Sequence, residues 1–100
     1  MSLMKITQAV CSVVAVEPTS TLVLAANDLR AGAVICNDGS TVIYLQPGYL
    51  DPYAADPTGG IRLNANGGSY EINETNLFIG EINAVAADSS GGLLSVVEYS

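Results

Sequence analysis

The sequence predicts an all-β protein: a compact two-sheet sandwich of Greek-key or jelly-roll type, with about eight short antiparallel strands. Three observations carry this. Gly, Asn, Asp, Ser and Pro punctuate the chain every 6 to 12 residues. The runs between them are rich in Val, Ile, Leu, Tyr and Thr, which suit a pleated surface. No stretch shows a helical period with caps; "TLVLAANDLRAG" reaches one helical turn at most before Gly32.

The elements follow in order. The first strand is Thr7–Val16, stopped by Glu17-Pro18. Its start, "ITQAVCSVVAV", faintly resembles the apolar region of a signal peptide. Gln8 and Ser12 break that run, and two-residue alternation continues through it, so a strand is preferred. Next come Thr21–Ala25, Ala31–Asn37 and Thr41–Gln46, then Ile61–Asn64 and Ser69–Asn73. Leu77–Ala87 and Gly92–Tyr99 complete the set. The chain of 100 residues fits one domain, with residues 1–6 as an extended arm.

Three turns have a physical basis. Asp38-Gly39 suits the positive φ angles of a type I′ turn, so Ala31–Asn37 and Thr41–Gln46 are expected to form a hairpin. Asn66-Gly67-Gly68 does the same for the next pair, and the longer "ADSSGG" for the last. One long connection stands apart, residues 47–60. It holds Pro47, Pro52 and Pro57, together with Tyr49, Leu50, Asp51, Tyr53 and Asp56. Proline fixes φ and cannot donate to a sheet ladder, so this is a rigid excursion. Tyrosines on a stiff loop offer large contact area at low entropic cost, which makes Tyr49, Leu50, Asp51 and Tyr53 candidate partner contacts. The alternative is that the two rings fold back over the core.

A strand with one face in water should alternate apolar and polar residues. Val10-Cys11-Ser12-Val13-Val14-Ala15-Val16 does not, and neither do the runs around Val34 or Val85. A second buried surface, supplied by sister copies, is the economical explanation.

Composition narrows the function. The chain is 49% hydrophobic and 13% charged, against roughly 25% charged in an average soluble protein. Its net charge of −7 argues against nucleic acid and against an anionic membrane surface. No apolar run approaches the ~18–20 residues of a membrane-spanning helix. Histidine is absent, so histidine acid–base chemistry is excluded. No nucleophile elbow, phosphate loop or zinc motif occurs, and without Trp the acid pairs Glu71/Glu74 and Asp51/Asp56 lack a sugar platform. No metal and no cofactor is expected, and the chain reads as non-catalytic; oxygen clusters at "NDGS" and "DPYAAD" are explained by turn chemistry. Cys11 and Cys36 fall on different strands and are expected as free thiols inside the core, a disulfide being the alternative.

Three segments read together carry a resemblance: "TLVLAANDLRAGAVICNDGSTVIYLQPG", "GGIRLNANGGSYEI" and "FIGEINAVAADSSGGLLSVVEY". They resemble small all-β structural proteins of tailed bacteriophages, most closely capsid decoration (cement) proteins. The shared pattern is Leu-x-Ala-Asn-x-x-Arg (Leu24 to Arg30), then a "VIYL" strand, a "GIRL" segment and a terminal "VVEY" strand. The resemblance implies a virion protein on the outer surface of the head, assembled in the host bacterial cytoplasm. It also implies self-association, plausibly as a trimer, and binding to the major capsid protein. Arg30, Met4 and Ile6 join the candidate contacts on this basis, the N-terminal tail pairing with a neighbour's sheet edge. A tail-fibre or other tail accessory module, binding a host glycan or another virion protein, is the rival reading.

Overall fold

A computed structural model of the chain describes residues 5–48 and 59–100. Eight strands are present: β1 (Ala9–Val16), β2 (Thr21–Leu24), β3 (Gly32–Asn37), β4 (Ile43–Pro47), β5 (Ile61–Leu63), β6 (Ser69–Ile72), β7 (Ile82–Ala86) and β8 (Gly92–Tyr99). They form two four-stranded sheets. Sheet I has the order β1-β8-β3-β6 and sheet II the order β2-β7-β4-β5. Every pairing is antiparallel.

This order is that of a jelly roll, and it has a simple origin. β1 pairs with β8, β2 with β7, β3 with β6 and β4 with β5. The second half of the chain therefore retraces the first as a long two-stranded ribbon, which is then folded over on itself.

The expected hairpins are thereby corrected. β3 and β4, β5 and β6, and β7 and β8 each lie in opposite sheets. The Asp38-Gly39, Asn66-Gly67 and Ser89–Gly91 turns reverse the chain, but each arches across the core. Their connections, residues 38–42, 64–68 and 87–91, must cover the ~10 Å between facing sheets rather than the ~4.8 Å between paired strands. Asp38 and Gly39 both keep negative φ, so no type I′ turn forms there, whereas Asn66 and Gly67 do take positive φ, 61° and 120°. Asn37 anchors the first arch from inside. It is fully buried, donates to the Thr41 and Leu63 carbonyls (2.8 and 3.1 Å), and accepts from Gly39 N–H (3.1 Å).

The core lies between the sheets. Val16, Ala33, Ile35, Ile72, Leu94 and Val96 face inward from sheet I. Leu24, Ile43, Leu45, Leu63, Ile82, Ala84 and Ala86 face them from sheet II. The expected strand Leu77–Ala87 is shorter than predicted: only Ile82–Ala86 pairs, and residues 77–81 form an end loop. The apolar character of Leu77-Phe78-Ile79 has another use, described below.

The thiols are not in the core. Cys11 is exposed and Cys36 half-exposed, and both are free. They sit on the outer face of sheet I, on strands separated by β8. Two strand spacings come to about 9–10 Å, beyond the ~7 Å that a disulfide spans.

Candidate interaction surface

Because all strands are antiparallel, the loops divide between two ends. Among the described residues, one end carries residues 17–20, 38–42, 64–68 and 87–91, the other residues 5–8, 25–31, 48, 59–60, 73–81 and 100. The two ends differ in chemistry.

The first end is polar. Its loops supply Glu17, Ser20, Asp38, Ser40, Asn64, Asn66, Asp88, Ser89 and Ser90. Asp88 accepts from Ser90 N–H (3.0 Å) and Ser90 Oγ (3.1 Å), and these bonds hold its carboxyl below the ordinary Asp value. An open depression of about 590 Å³ lies here, lined by Ser40, Thr41, Ser89 and Glu17 among others.

The second end carries exposed apolar side chains beside the polar Asp28, Glu74, Thr75, Asn76 and Glu81. Leu29 is 78% exposed, and Ile6, Leu77, Phe78 and Ile79 are also exposed. Two of its loops are tied together by the Leu24–Arg30 motif. Asn27 accepts from Leu29 N–H through its side chain (3.0 Å) and from Arg30 N–H through its carbonyl (3.0 Å). Its own N–H reaches the Ile79 carbonyl (2.8 Å). Leu24 points into the core.

Arg30 was expected at a contact surface. It is instead 2% exposed. Its Nε donates to Glu98 Oε2 at 2.7 Å, its Nη1 to the Phe78 and Gly80 carbonyls at 2.8 and 2.9 Å, and its Nη2 to the Ala25 carbonyl at 2.6 Å. A planar, forked cation can serve a carboxylate and three carbonyls at once, which an ammonium cannot. Arg30 therefore plugs the mouth of the core and displays the apolar loops without joining their surface. The reason the sequence misled is plain: a lone cation in an acidic chain reads as a surface charge, and its burial depends on Glu98, 68 residues away.

Among the other candidate contacts, Ile6 is exposed at this end. Met4, Tyr49, Leu50, Asp51 and Tyr53 lie outside the described residues. The flanks of the 49–58 segment are held on the outer face of sheet II. Gln46 Nε2 donates to the Gly59 carbonyl (3.0 Å), and Asn83 Nδ2 to the Gly48 carbonyl (2.8 Å). Leu29, Leu77, Phe78 and Ile79 were not singled out from sequence; the only signal was their exposure-prone setting between Asn, Asp and Gly.

A second apolar region covers the outer face of sheet I. β1, β8 and β3 bring Cys11, Val13, Val34, Cys36 and Val97 to a shallow groove of about 320 Å³. Asp38 borders it, accepting from Ser95 Oγ and from the Cys36 thiol (3.8 Å). Partial burial, then the Asp38 charge and hydrogen bond, push the Cys36 thiol up from its ordinary value. The failure of alternation thus has two origins. β7 is covered on both faces within one chain, with outward-facing Val85 only 2% exposed. β1 is covered on neither face over residues 9–13.

Among the described residues no group of three or more His, Cys, Asp or Glu side chains gathers to hold a metal ion. Comparison with protein-family models, with curated proteins and with solved structures finds no match.

Proposed function

We propose that this chain is a non-catalytic structural protein of a tailed-bacteriophage virion, a capsid decoration subunit that binds the head lattice and stabilises it. The observation that carries the reading is the contrast between the two ends of the jelly roll. The loops of one end expose no large apolar side chain. The other presents Leu29, Leu77, Phe78 and Ile79 on loops pinned by a buried arginine. Covering such side chains releases about 25 cal/mol per Å² of apolar surface, and pre-fixed loops lose little entropy on docking. The partner that fits is the major capsid protein, together with further copies of this chain. The resemblance of the Leu24–Arg30, "VIYL", "GIRL" and "VVEY" segments to decoration proteins supports the same placement.

Co-sedimentation tests it. Heads assembled from the capsid protein of the phage that encodes this chain are mixed with the purified protein and pelleted. The protein is expected in the pellet at saturable stoichiometry. Leu29→Asp with Ile79→Asp should weaken binding at least tenfold, while Ser89→Asp at the polar end should not. Absence from the pellet, or loss through Ser89→Asp alone, would overturn the reading.

The open depression at the polar end, where Ser40, Thr41, Ser89 and Ser90 lie beside Val16, Pro18 and Leu93, favours one second reading, a tail accessory module that binds a host glycan. Binding to a glycan array without binding to heads selects it.

A further inference from the structure

The four sheet edges are not alike. β6 and β2 have four residues each and β5 has three. β6 carries Glu71, β5 carries Arg62, and β2 has a register shift between Leu22 and Leu24. Short length, charge and irregularity all blunt an edge against further pairing. β1 has none of them. It has eight residues, AVCSVVAV, without charge or proline. Val10 on its inward side is 51% exposed and Val13 on its outward side 70%.

The phase of its backbone is fixed. Gln8 and Ser100 exchange two hydrogen bonds, 2.8 and 2.9 Å. Antiparallel ladders alternate bonded and non-bonded pairs. Residues 10, 12, 14 and 16 therefore bond to β8, and the N–H and C=O groups of Ala9, Cys11, Val13 and Ala15 point to an edge that has no partner strand among the described residues.

We propose that β1 pairs antiparallel with β1 of a second copy, about a two-fold axis through Ser12. Ala9 then faces Ala15 and Cys11 faces Val13, and every open group of both strands is bonded. A slip by two residues would set Glu17 or Thr7 in the ladder. Glu17 N–H already meets Thr21 Oγ1 and its carbonyl already takes Ala86 N–H, while Thr7 N–H is bound to the Ser100 carbonyl. Only the Ser12-centred register leaves no group unpaired. Charge does not oppose this pairing within the strand. Two chains of net charge −7 repel, and like charges opposite one another in a ladder are destabilising. From Ala9 to Val16 there is no charge to oppose. The partner sheet I continues the first into one eight-stranded sheet, and the two-fold closes the assembly at two copies. The other three edges are shorter than β1, which favours the closed pair over head-to-tail pairing; the resemblance implies a trimer instead, and the oligomeric state distinguishes the two. The proposal stands on strand geometry alone, so it succeeds or fails separately from the virion reading.

Light scattering on the full chain, over a concentration series, should give twice the chain mass of 10.3 kDa at high concentration. Val13→Pro removes an N–H that the monomer does not use. It should raise the dimer dissociation constant at least tenfold and leave the far-ultraviolet circular dichroism unchanged. Ser12→Cys, made with Cys11→Ser and Cys36→Ser, should form an intermolecular disulfide under mild oxidation. Ser95→Cys in the same background should not. A monomer at all concentrations, a trimer, a dimer indifferent to Val13→Pro, or failure of Ser12→Cys to cross-link would overturn the proposal.

Discussion

Arg30→Ala should be the most damaging single side-chain truncation at the apolar end. Its consequence can be worked from the contacts. The side chain is fully buried and that of Glu98 is 19% exposed. Removing the cation leaves a mostly buried carboxylate without its partner, and leaves the Ala25, Phe78 and Gly80 carbonyls without their donor. Breaking one side of a buried ion pair costs about 3–5 kcal/mol. A domain of this size has only about 5–15 kcal/mol in total. At about 4–8 °C per kcal/mol for 60–100 residues, the melting temperature should fall by roughly 12 °C or more. Arg30→Lys keeps the charge but cannot fork to four acceptors, so it should lose part of that. Arg30→Met combined with Glu98→Met removes both charges, and should be more stable than the sum of the single variants predicts by about 1–3 kcal/mol. Thermal and urea unfolding followed by circular dichroism measure all of these. An Arg30→Ala variant that melts within about 4 °C of the parent, a change of about 1 kcal/mol or less, would refute the plug.

Other outcomes follow from the same reasoning. Asn37→Ala should cost about 2–3 kcal/mol in urea unfolding, because the Thr41 and Leu63 carbonyls lose their buried donor. Cys36 should react with a thiol reagent at mildly alkaline pH more slowly than a model peptide thiol, and Asp38→Asn should speed it, since burial and then Asp38 raise its pKa and lower its thiolate fraction. Asp88 is ionised more readily in the folded chain than in the unfolded one. Its contribution is therefore full above the unfolded carboxylate value of about 3.9 and is lost as pH falls through the lower folded value. Asp88→Asn should flatten that acid limb of the stability–pH profile.

Much of the fold was legible in the sequence. Turn residues mark where a strand must stop, and β-branched runs mark where one can form, so the strand positions followed directly. What turn residues cannot encode is which sheet receives the next strand. Asp38-Gly39 says that the chain reverses; that β3 and β4 face each other across the core depends on Asn37 binding carbonyls of two different segments. Leu77-Phe78-Ile79 reads as strand by propensity, yet their carbonyl groups serve Arg30 and Asn27 instead of a ladder. The surface was less legible for a related reason. Exposure of Leu29 and burial of Arg30, adjacent in sequence, invert what polarity alone suggests, and the inversion is set by Glu98 at the far end of the chain.

The nested ribbon also orders events in time. β8 is synthesised after the other seven described strands, and it lies between β1 and β3. Until residues 92–99 have emerged, β1 has no partner strand, β3 has only β6, and sheet I cannot be completed. The nascent chain must therefore carry the uncharged β1 segment unpaired until β8 emerges. Sequence-distant pairing of this kind makes folding slow, and exposed strand edges in the waiting chain are prone to meet one another. Folding yield should accordingly depend on how crowded the nascent chains are, and a circular permutant that joins Ser100 to the N-terminal segment beside it should shorten the wait.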